Sequence, residues 1–149
     1  MSGILALDLG THCGWACRAG TQVTSGVERF ENSRYSGGGM RFLLFRKWLE
    51  DMKSLTNGLG CVYFEEVRRH LGVDAAHVYG GFLATLTAFC EEQKVPYQGI
   101  PVGTIKRHVT GKGNASKTAV QDALIAKGIP FTDENEADAL ALLMTVGHH

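Results

Sequence analysis

Three short apolar segments separated by tight, glycine-containing turns open the sequence, and only near residue 40 does the apolar spacing lengthen to that of a helix. Ile4–Leu9, Gly14–Arg18 and Val23–Phe30 therefore read as successive strands. The connections between them are too short for a parallel crossover, so the three form an antiparallel meander. With 149 residues, 44% hydrophobic and 20% charged, the chain is sized for one globular domain, 1–149, and disordered or fibrous classes are excluded. Fifteen basic residues balance fifteen acidic ones, so no global field draws the chain to nucleic acid or to a membrane, and any charged patch must be local. Cys13, Cys17, Cys61 and Cys90 form no CxxC pair, and the opening segment is too short for a signal peptide. Reduced thiols and a cytoplasmic location are expected.

Beyond the meander, 32–39 (NSRYSGGG) reads as a loop suited to carry binding residues, with Tyr35 available to stack on a base. From Met40, the residues Leu44, Trp48, Met52 and Leu55, beside Phe45 and Leu49, predict an amphipathic helix lying on a sheet. Cys61–Val67 (CVYFEEV) predicts a central strand that emerges into a site at its carboxylates. Asp74 is the expected N-cap of a helix over Ala75–Glu92. Its Val78, Phe82, Leu86 and Phe89 make a stripe broader than one sheet face covers, which calls for a second copy approaching across Gly80 and Gly81. Val95–Val102 follows as a strand, then Gly103–Val109 and Ala115–Lys127 as helices around a Gly111–Asn114 loop, and finally a helix capped by Asp133 or Thr132 and running to about Val146. The sum is an α/β domain with a mixed five-stranded sheet, three antiparallel strands plus two parallel, flanked by helices.

Three carboxylates stand where burial alone would not put them: Asp8 late in the first strand, Glu65 at the end of the fourth, and Asp138 inside the apolar last helix. A buried unpaired carboxylate is costly, and one shared divalent cation satisfies all three, with Mg²⁺ preferring such hard oxygen ligands. Glu66 faces the other side of its strand, so only one of the pair enters the site. For a fourth ligand, Asn135 and Glu134 lie on the helix face of Asp138 whereas Glu136 points away, toward a capping-box role with Asp133. A second cluster is basic: Lys106, Arg107, Lys112, Lys117 and Lys127 against Asp122 alone leave a local excess of four positive charges. The Gly111–Asn114 amides, the following helix N-terminus and Lys117 would together receive phosphate. Beside a carboxylate metal site this points to phosphodiester cleavage.

Two other motifs fail on context. GKGNASKT at 111–118 approaches the phosphate-loop pattern GxxxxGK[ST], but Ser116 replaces the final glycine and a helical segment precedes it instead of a strand. His12, Cys13 and Cys17 lack a fourth zinc ligand at usable spacing.

ALDLGTHCGWA at 6–16, FEEV at 64–67, IKRHVTGKGNASKTAV at 105–120 and EADALAL at 136–142 together resemble the RuvC-type Holliday junction resolvases of bacteria and phages, nucleases of ribonuclease H-like fold. The resemblance covers most of the chain in one order. It implies metal ligands Asp8, Glu65 and Asp138, selecting Glu65 from its pair, and sets Lys106 and Lys117 at the positions of the family's essential lysines. It also implies Mg²⁺ with Mn²⁺ as a substitute, branched DNA as substrate, and a homodimer that cuts two strands symmetrically to leave 5′-phosphates. For a phage-encoded chain the location would be the bacterial host cytoplasm. Asn135 stands where bacterial members commonly carry a second acidic residue, and Arg68, followed by Arg69 and His70, stands where an aromatic wedge is expected. Arginines there would grip phosphates. The competing readings are a nuclease of RNA–DNA hybrids or ribosomal RNA precursors, and a junction-binding protein that has lost its chemistry.

Overall fold

Strand β1 (Gly3–Asp8) has its side chains alternating between two covered faces: Leu5 and Leu7 join one core, Ile4 and Ala6 the other. A strand buried on both sides belongs at the centre of a sheet. In the computed structural model, which describes residues 2–33, 35, 37–67 and 72–147, β1 occupies the middle of five strands in the order β3-β2-β1-β4-β5. Strands β2 (His12–Ala19) and β3 (Gln22–Arg29) complete the expected antiparallel meander. After α1 (Met40–Leu55), β4 (Leu59–Glu66) pairs parallel with β1. After α2 (Val73–Gln93), β5 (Tyr97–Pro101) pairs parallel with β4. The mixed sheet is the one the segment order predicts. Helices α3 (Val102–Thr110), α4 (Lys117–Ala126) and α5 (Glu134–Val146) follow, and α3 starts at the residue after β5 ends.

The first core joins α1 and α2 to Leu5, Leu7, Cys13, Cys17, Val62 and Phe64. Trp48 meets Trp15 edge-on at 6.1 Å, and Phe82 meets Phe42 and Phe45 edge-on at 5.0 and 5.2 Å. These rings cover the stripe on α2: Phe82, Leu86 and Phe89 are fully buried within their own chain, and Val78 packs against the same core. The expectation that this stripe needs a second copy is therefore corrected, because α1 supplies the aromatic cover. Gly81 serves the same packing, since a Cβ there would come within 2.3 Å of Phe42. On α1 the buried line is Phe45, Leu49 and Met52, while Leu44 and Leu55 are 45% and 80% exposed. Helix α2 begins at Val73 on Gly72, so Asp74 lies in the first turn instead of capping it. Helix α4 starts later than its apolar spacing predicts because Ser116 caps it, its hydroxyl oxygen accepting the Ala119 N–H at 3.1 Å.

The second core places α5 between the sheet and α3 and α4, which is why its sequence is apolar almost all round. It lies very close to the strands. Ala6 and Ala16 share this core with Ala137, Ala139 and Ala141, and a Cβ on Gly14 would sit 1.8 Å from the Asn135 carbonyl oxygen. No helix of the described residues is long and apolar enough to cross a membrane. Gly14→Ala is expected to destabilise the fold by about 3 kcal/mol, at the upper end of ordinary overpacking, because a backbone carbonyl has no alternative rotamer. Urea denaturation followed by circular dichroism measures it.

Candidate metal centre and basic cleft

Asp8 ends β1, and the parallel register that sets Leu7 beside Phe64 puts the next pair, Asp8 and Glu65, side by side at the same end of the sheet. Pleating turns Glu66 to the opposite face, where it shares with Phe64 the space over Gly99. Asp138 enters from α5, and the three residues each bring a carboxylate oxygen to within 4.8 Å of the others. Burial, then the charges of Asp138 and Glu65, hold the Asp8 carboxyl well above its ordinary range. Burial and the nearby Asp138 charge push Glu65 up to about 7. Asp138 is also raised, chiefly by burial, with Lys117 pulling the other way. Three converging hard oxygen donors that resist ionising together suit a divalent cation, which removes the repulsion and accepts all three.

Lys117 stands in the first turn of α4, its ammonium 3.2 Å from Asp138 Oδ2 and 3.9 Å from Glu134 Oε1. Burial disfavours its charge, but Asp138, with help from Glu134 and Asp8, outweighs that and raises it. Lys117, Glu65 and Asp138 line a cleft of about 220 Å³ together with Lys106 and the apolar walls Val102, Ile105, Val120 and Ala141. The cleft thus has an acidic floor and a basic rim, which is the charge pattern for a cation and a phosphate bound side by side.

The remaining sequence-derived residues are dispersed around this centre. Arg107 and Lys112 are exposed, with the Arg107 guanidinium packed over Gly113 of the loop. Asn135 sits one turn before Asp138, its amide N–H donated to the Asp133 cap at 2.7 Å. Glu136 is engaged elsewhere: it accepts from the Ser25 hydroxyl at 2.7 Å and from the Thr132 N–H at 2.8 Å. Burial works against its ionisation, yet these hydrogen bonds hold it below the usual carboxylate range. Tyr35 is 89% exposed in its loop. Arg68 and Arg69 lie outside the described residues. One residue next to the centre escapes sequence reasoning. The Tyr79 hydroxyl, from α2, donates to the Glu65 carbonyl at 3.0 Å and accepts the Val67 N–H at 3.3 Å. No local pattern marks it, because its partners lie on another element.

No protein-family model matches the sequence, and no curated protein matches it. Solved structures do share the fold, which is ribonuclease H-like. RuvC of Thermus thermophilus in complex with a Holliday junction substrate superposes with a TM-score of 0.75 at 20% identity, over 97% of this chain and 92% of that one. A second Thermus thermophilus RuvC structure gives 0.76 at 20% identity, over 96% and 92%. The yeast mitochondrial Holliday junction resolvase Ydc2 gives 0.66 at 12% identity, over 97% and 77%. The architecture is thus shared with RuvC at low sequence identity.

The raised carboxyls make stability depend on pH and cation together. The folded chain holds a proton on Glu65 up to about pH 7, whereas an ordinary glutamate loses it near 4.5. The associated stability is present below about pH 4.5 and lost as pH rises through about 7, with Asp8 and Asp138 acting in the same direction. Melting in EDTA should therefore fall across that window. Mg²⁺ at about a hundred times its Kd should restore about 2.7 kcal/mol, or roughly 5–10 °C, at pH 8, and much less at pH 5. Scanning fluorimetry with and without Mg²⁺ at both pH values reads this directly.

Proposed function

We propose that this protein is a metal-dependent endonuclease of branched DNA that resolves four-way junctions and leaves 5′-phosphates. The observation that carries the reading is the meeting of Asp8, Glu65 and Asp138 beside Lys117 in an open cleft, on a fold shared with a protein solved on a Holliday junction. Asp8, Glu65 and Asp138 would hold the cation, Mg²⁺ by preference and Mn²⁺ as substitute, with Asn135 the neutral candidate for a further ligand. Bound there, the cation supplies Lewis-acid stabilisation of charge on a phosphate oxygen. Lys117, paired with Asp138 at 3.2 Å, would face the scissile phosphate of a bound strand. Its positive charge then meets the charge that develops during cleavage. Lys106, which lines the same cleft, would hold a phosphate there, while Arg107, Lys112, Arg68 and Arg69 take flanking phosphates and Tyr35 stacks on an exposed base. The cytoplasm of a bacterial cell, where such junctions arise, is the proposed location.

A labelled four-way junction, a linear duplex and an RNA–DNA hybrid, each incubated with Mg²⁺ or EDTA, test the proposal. Paired symmetric nicks in the junction, dependent on Mg²⁺, are expected. Preferential hydrolysis of the hybrid would replace it with the second nuclease reading, and binding without cutting would leave a junction-binding protein.

Asp8→Asn and Glu65→Gln are expected to abolish cutting while leaving junction affinity in Ca²⁺ within about twofold in a gel shift, since each weakens cation binding by one charged ligand without adding bulk. Lys117→Ala should lower the cleavage rate about 10²–10³-fold, the usual cost of losing one group that stabilises developing charge, and affinity far less.

Assembly as a homodimer belongs to the same proposal, because a two-fold pair sets two centres on opposed strands. With the α2 stripe buried, the proposed contact would use exposed apolar residues of α1, among them Met40, Leu43 and Leu44. Sedimentation at micromolar protein should give twice the 16.2 kDa chain mass, and Leu43→Glu should halve it. A monomer that still makes paired nicks would remove the dimer from the proposal.

A further inference from the structure

The end of β4 outruns its neighbour on one side. The ladder to β1 runs only as far as Leu7 beside Phe64, one residue short of Glu65. On the other side the parallel pairing with β5 continues, Glu65 standing opposite Ile100 and Glu66 opposite Pro101. The strand is therefore without a ladder partner on its β1 side at the position where it must aim a carboxylate. Tyr79 reaches this place from the second turn of α2. Its hydroxyl donates to the carbonyl of Glu65 at 3.0 Å and accepts the N–H of Val67 at 3.3 Å, spanning the two peptide groups on either side of Glu66. The same helix is anchored one and two turns later by fully buried Phe82 and Leu86, which fixes where the half-buried Tyr79 ring stands.

We infer that Tyr79 is a positioning residue for the metal centre, replacing the missing ladder bonds at the end of β4 so that Glu65 points toward Asp8 and Asp138 while Glu66 stays on the opposite face. The inference rests on the reading of Glu65 as a cation ligand. Fixing the peptides on both sides of Glu66 fixes which way each glutamate leaves the strand, and a rotation there would take the Glu65 oxygen out of the 4.8 Å cluster. Tyrosine suits the task because its one hydroxyl oxygen both donates and accepts. Phenylalanine at this position keeps the ring and its packing but gives up both bonds.

Calorimetric titration of the full chain with Mn²⁺, in the absence of DNA, separates this role from nuclease activity. Tyr79→Phe is expected to raise the Kd for Mn²⁺ at least about tenfold, the usual lower cost of losing a group that orients a ligand. Its metal-free melting temperature in EDTA should stay within a few degrees of the parent. In a Glu65→Gln background the same change should cost no further affinity, because Tyr79 acts through Glu65. An unchanged Kd in the single variant would overturn the inference, as would an equal loss in both backgrounds, which is the mark of general loosening. A parent chain that binds no Mn²⁺ would overturn the cation reading itself, and this inference with it. Failure to cut junctions, with the Mn²⁺ results as expected, would leave Tyr79 in place and remove only the substrate.

Discussion

The carbonyl of Asn135 lies against Gly14 at a distance that no side chain could share, and this contact sets the height of α5 above the sheet. Ala6 and Ala16, small residues in the same core, extend the close approach along β1 and β2. Larger residues would have lifted the helix, and with it Asp138, away from Asp8 and Glu65. The short reach of an aspartate makes the spacing strict: only a helix almost touching the strands can complete a cluster that spans 4.8 Å. Small residues under α5 and a carboxylate within it are thus one device, and neither has value without the other.

The cluster is assembled against electrostatic preference. Desolvation is the largest influence on each of its carboxyls, and mutual repulsion adds to it for Asp8 and Glu65. A fold tolerates such a place only where the surrounding structure over-determines it. Here the surroundings do so with ordinary parts: two parallel strands in fixed register, a capped helix on one side, and a lysine held by the first turn of another. Lys117 keeps one carboxylate satisfied in the absence of a cation, so the cluster is strained without being untenable.

Much of this was legible in the residues themselves. The strand meander, the central strand ending in carboxylates and the apolar last helix all follow from local spacing, and their order leaves one economical sheet. Carboxylates at strand ends and inside an apolar helix announce themselves because they violate burial rules. What escaped was decided by non-local partners. The α2 stripe looked too broad for one sheet face because nothing in α2 says that Phe42, Phe45 and Trp48 of α1 will cover it. Leu44 and Leu55 fit the helical period but fall outside the arc that α1 turns to the sheet. Tyr79 resembles any half-buried tyrosine until the gap it fills at the end of β4 is seen.

The three carboxylates are also far apart along the chain, the first within the opening strand, the second near the middle, the third in the last helix. A chain emerging from the ribosome carries Asp8 and Glu65 well before Asp138, and α5 can dock only when it too has been released. Until then the two carboxylates lie in a half-covered sheet with no Lys117 contact across to α5. The centre is therefore incomplete until α5 has docked, and in any fragment cut before α5, so that a cation held by all three carboxylates waits on this one helix.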